Sequence, residues 1–141
     1  MEMKLPKGLI SPEEAKELNQ QFVKSRSKDM NKIIEKLDNT PNKKDAISSW
    51  FSLEELKDYI AYVESKSNKV NGLRVYFGAY GKKSDTKKSN ISTVFFVPTE
   101  PKVGSLQKDG IASEASSSDI EDIDGLNLGT SGNPPDAKYP Q

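Results

Sequence analysis

Leu73-Arg-Val-Tyr-Phe-Gly-Ala-Tyr80 and Ile91-Ser-Thr-Val-Phe-Phe-Val97 decide the fold class, because both are short runs rich in β-branched and aromatic residues. Between them lies Gly81-Lys-Lys-Ser-Asp-Thr-Lys-Lys-Ser-Asn90, a polar stretch that predicts a solvated hairpin loop and antiparallel pairing. Alternation puts Leu73, Val75, Phe77 and Ala79 on one face, where helices are expected, and Arg74, Tyr76, Gly78 and Tyr80 on the other. Two strands alone are marginal in water, so a third is required from the tail, the N-terminal arm or a partner chain.

Upstream, Ser11-Pro-Glu-Glu14 is a helix start: Ser11 can cap the third amide, Glu14 can bond back, and Pro12 loses nothing in the first turn. Ala15, Leu18, Phe22, Met30, Ile33 and Leu37 follow at helical spacing, with Arg26 in the middle of the stripe. One long helix is the simplest reading, with a break at Ser25-Arg-Ser27 as the alternative and an end at Asn39-Thr-Pro-Asn42. A second start, Ser52-Leu-Glu-Glu55, is flanked by Phe51 and Leu56 in hydrophobic-staple positions. Leu53, Leu56, Ile60 and Val63 form its expected buried face, with Tyr59 and Tyr62 on the shoulders and Trp50 as a core anchor.

Downstream the composition changes. Pro101, Gly104, Gly110, the Ser116-Ser-Ser118 run and Asp119, Glu121, Asp122 and Asp124 predict a flexible acidic segment over 101–124. Residues 125–141 are Gly/Asn/Pro-rich, and Leu126 and Leu128 are expected to dock them on the 1–100 core. Charge follows the same division. Residues 1–100 hold 18 basic and 14 acidic residues, and residues 101–141 hold 3 and 7, so the tail opposes the body in sign.

The 141 residues contain no Cys and no His, which excludes disulfides, Ser-His-Asp and Cys-His pairs, and thiolate or imidazole metal sites. An enzyme would have to work without the one side chain that titrates near neutral pH unaided, which weighs against catalysis. The Met1–Ile10 stretch lacks the apolar run of a signal peptide, and no segment nears the roughly 20 apolar residues that span a bilayer. The expected compartment is the cytoplasm.

Several motifs imitate chemistry. Asp119-Ile-Glu-Asp-Ile-Asp-Gly125 resembles a calcium loop, but with Gly125 at the sixth position the first and twelfth are Ile120 and Ser131, where acids are required. Gly125, Gly129 and Gly132 with Ser131 suggest a phosphate loop, but no Gly-Lys-Ser/Thr or helix start follows, so a turn that folds the tail back is preferred. The Ser-x-x-Lys pairs Ser25/Lys28, Ser84/Lys87 and Ser105/Lys108 lack their companion motifs. Lys82, Lys83, Lys87 and Lys88 make a basic hairpin tip, either a solubilising loop or a nucleic-acid contact. Arg74, Tyr76 and Tyr80 are the most site-like set, a cation between aromatic platforms that can hold an anion or a partner's side chain. The structural alternative is that Arg74 pairs with Glu54, Glu55 or a tail carboxylate.

Four stretches, Trp50-Phe-Ser-Leu-Glu-Glu-Leu-Lys-Asp-Tyr-Ile-Ala-Tyr-Val63, Gly72-Leu-Arg-Val-Tyr-Phe-Gly-Ala-Tyr80, Thr93-Val-Phe-Phe-Val-Pro-Thr99 and Gly125-Leu-Asn-Leu-Gly-Thr-Ser-Gly-Asn-Pro-Pro135, carry a resemblance. Through them the chain resembles a group of small, uncharacterised proteins from Bacteroidota-type bacteria, over less than half its length. The resemblance brings no activity, cofactor or site; it implies that the tail and the hairpin belong to one domain.

The expected fold is therefore α+β, with two N-terminal helices packed on a small antiparallel sheet built around the 73–80/91–97 hairpin and an irregular C-terminal tail. The expected function is a non-enzymatic protein-interaction module that captures another chain, or a second copy, on its open sheet face or unpaired edge. The rival is an anion- or small-ligand-binding protein or enzyme using Arg74, Tyr76 and Tyr80; nucleic-acid contact through Lys82–Lys88 ranks third. No cofactor, metal or membrane association is expected.

Overall fold

The computed structural model describes residues 3–83, 87–102, 116–127 and 129–141. It is an α+β fold whose elements run α1 (Pro12–Phe22), a π-helical turn (Val23–Ser27), α2 (Lys28–Asp38), α3 (Leu53–Lys66), β1 (Gly72–Ala79), β2 (Ser92–Pro101) and β3 (Ser117–Asp119). The three strands form one antiparallel sheet in the order β1-β2-β3.

Both helix starts form as the sequence predicts. Ser11 and Glu14 exchange the two bonds of a capping box, and the Ser52 hydroxyl accepts from the Glu55 amide. The reading of one long helix holds rather than a break near Ser25–Ser27: α1 and α2 are continuous through a π turn at Val23–Ser27, which inserts an extra residue and shifts the phase of the apolar stripe. Asn39 ends α2 in the left-handed region, φ 52°, with its N–H donated to the Glu35 carbonyl.

The buried faces differ from those the periodicity predicts. Leu18, Ile33 and Leu37 are more than half exposed, while Ser27, Ile34 and the Asp38 side chain turn inward. In α3 the buried pair is Tyr59 and Val63, and Leu53 and Ile60 are exposed. The reason is polar. Asp45 is 2% exposed, and its carboxylate accepts from the Ala46 amide, the Ser92 amide and the Ser92 hydroxyl, while its own N–H donates to Asn31 Oδ1 at 2.7 Å. Ala46 and Ser92 supply the donors a buried carboxylate needs, and the Asp45 amide needs an acceptor in turn, which α2 provides by turning Asn31 inward where Ile33 is exposed. Tyr59 is held likewise, its hydroxyl donating to the Asp124 carbonyl at 2.9 Å.

Trp50 is not a core anchor. Its side chain is 66% exposed, and its backbone exchanges two hydrogen bonds with Thr130. Phe51 turns inward instead and meets Phe96 edge-on, with centroids 5.1 Å apart.

The third strand comes from the tail. Ser117–Asp119 lies inside the stretch whose composition predicts flexibility, and it pairs with Thr99–Pro101, leaving Ile120 buried beside it. Residues 103–115 and Leu128 lie outside the described residues. Farther on, Leu126 bridges Phe96, Ile47 donates to the Pro135 carbonyl, and Tyr139 donates to Asn19 Oδ1, so the tail runs beside β2 and returns to α1. Two glycines permit this path: a Cβ on Gly125 would stand 2.8 Å from the Phe96 carbonyl oxygen, and one on Gly129 would strike Ser49 and the Phe51 ring.

Asp45→Asn replaces one acceptor oxygen with a donor against Ser92 and should lower unfolding stability by about 1–3 kcal/mol. A urea titration with unchanged slope and a lower midpoint would register it.

Candidate functional site

The sheet face bearing Arg74, Tyr76 and Tyr80 is occupied by the chain itself. Arg74 forms a salt bridge with Asp119 on β3, and the Tyr76 hydroxyl donates to the other oxygen of the same carboxylate. Tyr76 also stacks on Phe95, with centroids 5.4 Å apart, and the Tyr80 hydroxyl donates to Asn127 Oδ1 at 2.6 Å. Arg74 thus takes a tail carboxylate, rather than Glu54 or Glu55, and the arrangement is an internal clamp that fastens β3 and the tail to β1 across β2. Hydrogen bonding to Asp119 raises the Tyr76 phenol above its ordinary 10.0, burial adds to the rise, and Arg74 opposes it.

The opposite face is the apolar one, but the helices leave the outer strand largely uncovered. Leu73 is half-buried in a small cleft with Ile60 and Val63, whereas Val75 is 49% and Phe77 91% exposed. Phe77 and its register partner Val94 stand at a cleft of about 550 Å³ whose other wall is Phe22, Arg26, Met30, Ala46 and Ile47. Phe22 and Met30 on the helical stripe and Phe77 on the apolar strand face are expected to be covered; instead they line an open cleft beside the start of β2.

The hairpin lysines separate. Lys82 and Lys83 line a cleft of about 400 Å³ with Asp38, Thr40, Lys43 and Ser89. Lys87 lines a second, of about 520 Å³, with Lys43, Lys44 and Ser131–Asn133. Lys88 instead sits over the Tyr80 ring, 6.0 Å from its centroid. Lys43 and Lys44 carry no local signal of a site; they meet the hairpin loop only because Asp38 binds Lys43, Ser89 and Asn90 together. The hydrogen bond from Lys43, with those from Asn90 and Ser89, holds the Asp38 carboxyl below its ordinary 3.8 against a smaller opposing effect of burial.

Among the described residues no three carboxylates stand close enough together to hold a metal ion, and no helix is long and apolar enough to cross a membrane. Comparison of the chain with protein-family models, with curated proteins and with solved structures finds no match.

A raised phenol favours the folded state below pH about 10, and that contribution is lost as pH rises through the raised value. Asp119→Ala should therefore bring the Tyr76 titration back toward 10.0, read as phenolate absorbance in difference from a Tyr76→Phe variant. At the acid end the sign reverses. Asp38, depressed when folded, contributes stability above 3.8 that is lost as pH falls through its folded value, so Asp38→Asn should flatten the acid limb of a stability-against-pH curve.

Proposed function

We propose that the protein is a non-enzymatic interaction module of the cytoplasm that binds an extended segment of a partner chain by adding it to the outer edge of β1. The observation that carries this reading is the state of that edge. β1 is terminal in the sheet order, and the ladder leaves its odd residues facing outward: just past β1 Tyr80 donates to Ile91, the residue before β2, whereas Phe96, opposite Val75, spends its N–H and C=O on Leu126. Leu73, Val75, Phe77 and Ala79 thus direct N–H and C=O groups away from the sheet. The strand carries no Pro and one charged side chain, Arg74, so it lacks the usual protection of an edge.

The side chains define what such a segment looks like. An added strand places alternate residues on the face of Val75 and Phe77, beside the apolar cleft, so the fitting partner has apolar residues at every second position. Arg26, the one charged group on the cleft wall, favours an acidic residue at its lip. Arg74, Tyr76 and Tyr80 have no comparable support as an anion grip, since Asp119 and Asn127 engage them.

Val75→Pro removes an outward donor without touching the β1–β2 bonds, and Phe77→Ser removes an exposed ring, so both variants should fold. Selection from a displayed library of extended peptides should enrich alternating apolar sequences that protect the Val75 and Phe77 amides from exchange and lose binding to both variants. Enriched peptides that bind Val75→Pro undiminished would overturn the reading.

A further inference from the structure

Lys43 stands between two adjoining clefts and lines both. Its ammonium is not a loose surface charge: the side chain is 14% exposed, fixed by the Asp38 carboxylate and by the Ser89 carbonyl. Lys44 and Lys87 face the larger cleft, and Lys82 and Lys83 the smaller. The described lining of the two clefts holds five lysines and one carboxylate, Asp38, so it is cationic on balance. The larger cleft is closed by Ser131-Gly132-Asn133, which brings a hydroxyl, a carboxamide and close backbone to the same space. The phosphate-loop reading of these residues fails on sequence because no lysine follows them; in the fold the lysines arrive from two other parts of the chain.

The lining also says what the site does not take. Among the described residues it contains no aromatic ring and no Arg, so none of them can stack a base or clamp a carboxylate in the bidentate manner. Lysines on long stems suit several phosphoryl oxygens without a fixed direction. Five lysines less the Asp38 carboxylate leave four positive charges on the described lining, more than the one and a half to two, roughly, of a single phosphate near neutral pH.

We propose that this double cleft is a binding site for a small anion with two or more linked phosphoryl groups, held by Lys43, Lys44 and Lys87 against Ser131–Asn133, with Lys82 and Lys83 taking the second phosphoryl group. It shares no lining residue with the Phe77 cleft and stands independently of the strand-addition reading.

The test is titration of the whole protein with sodium pyrophosphate by calorimetry, with the Gly132 and Asn133 amide resonances followed in parallel. One-to-one saturable binding that shifts these amides and weakens with added salt is expected. Lys44→Ala with Lys87→Ala should weaken it by about tenfold or more, whereas Lys66→Ala with Lys69→Ala, removing equal charge elsewhere, should change it less than about twofold. Lys44 and Lys87 are exposed, so an unchanged melting curve should certify the fold of the first pair. Absence of saturation, equal losses in both pairs, or orthophosphate binding as tightly as pyrophosphate would overturn the proposal. Tighter binding of a single-stranded oligonucleotide would overturn it in favour of a nucleic-acid contact.

Discussion

The Asp45 carboxylate is the point at which the helical layer, the loop after α2 and the sheet are tied together. It is almost wholly removed from water, and its oxygens accept from Ala46 and Ser92 while its amide binds Asn31. Burying a carboxylate and a backbone amide is unfavourable unless each finds a hydrogen-bond partner, and the partner of the Asp45 amide is Asn31 Oδ1 on α2. That constraint sets which side of the helix faces inward. Ile34 packs with Ala46 and Ile91 in the one apolar cluster it permits, and Leu18, Ile33 and Leu37 are left toward solvent.

Around this small apolar centre, polar clamps hold the elements. Asp38 gathers Lys43, Ser89 and Asn90 at the base of the hairpin loop, and Asp119 gathers Arg74 and Tyr76 at the other end of the sheet. Tyr59 reaches from α3 to the Asp124 carbonyl. The tail is thus a structural part of the domain: its strand completes the sheet, and its glycines let it lie against Phe96 and Phe51 where any side chain would collide. The opposite charges of body and tail find a direct expression in the Arg74–Asp119 pair.

The same arrangement leaves two surfaces unspent. The helical layer is anchored at the start of β2, beside the end of β1, yet the Phe77 ring stays exposed there, and among the described residues no strand pairs with the outer edge of β1. Lys43, held by Asp38, lines a cleft with Lys44, Lys87 and a tail loop rich in small polar residues. Neither surface is a consequence of local sequence.

By itself the sequence determined the local elements: the capping residues Ser11 and Ser52, the disturbance at Ser25–Ser27, the end of α2 near Asn39, the hairpin and the alternation of its faces. These are decided within a few residues by caps, periodicity and turn chemistry, so they are legible without a fold. It also excluded imidazole and thiolate chemistry by composition. What only the tertiary structure decided was which faces are buried, where the third strand comes from and which charges meet. Trp50 and Leu53 have the look of core residues, and Ser117–Asp119 that of linker, because hydropathy ranks a residue by its own transfer energy. Burial here is set by partners distant in the chain, Asp45 with Ser92 and Arg74 with Asp119, and a polar group that finds such a partner can be buried while an apolar one is left outside.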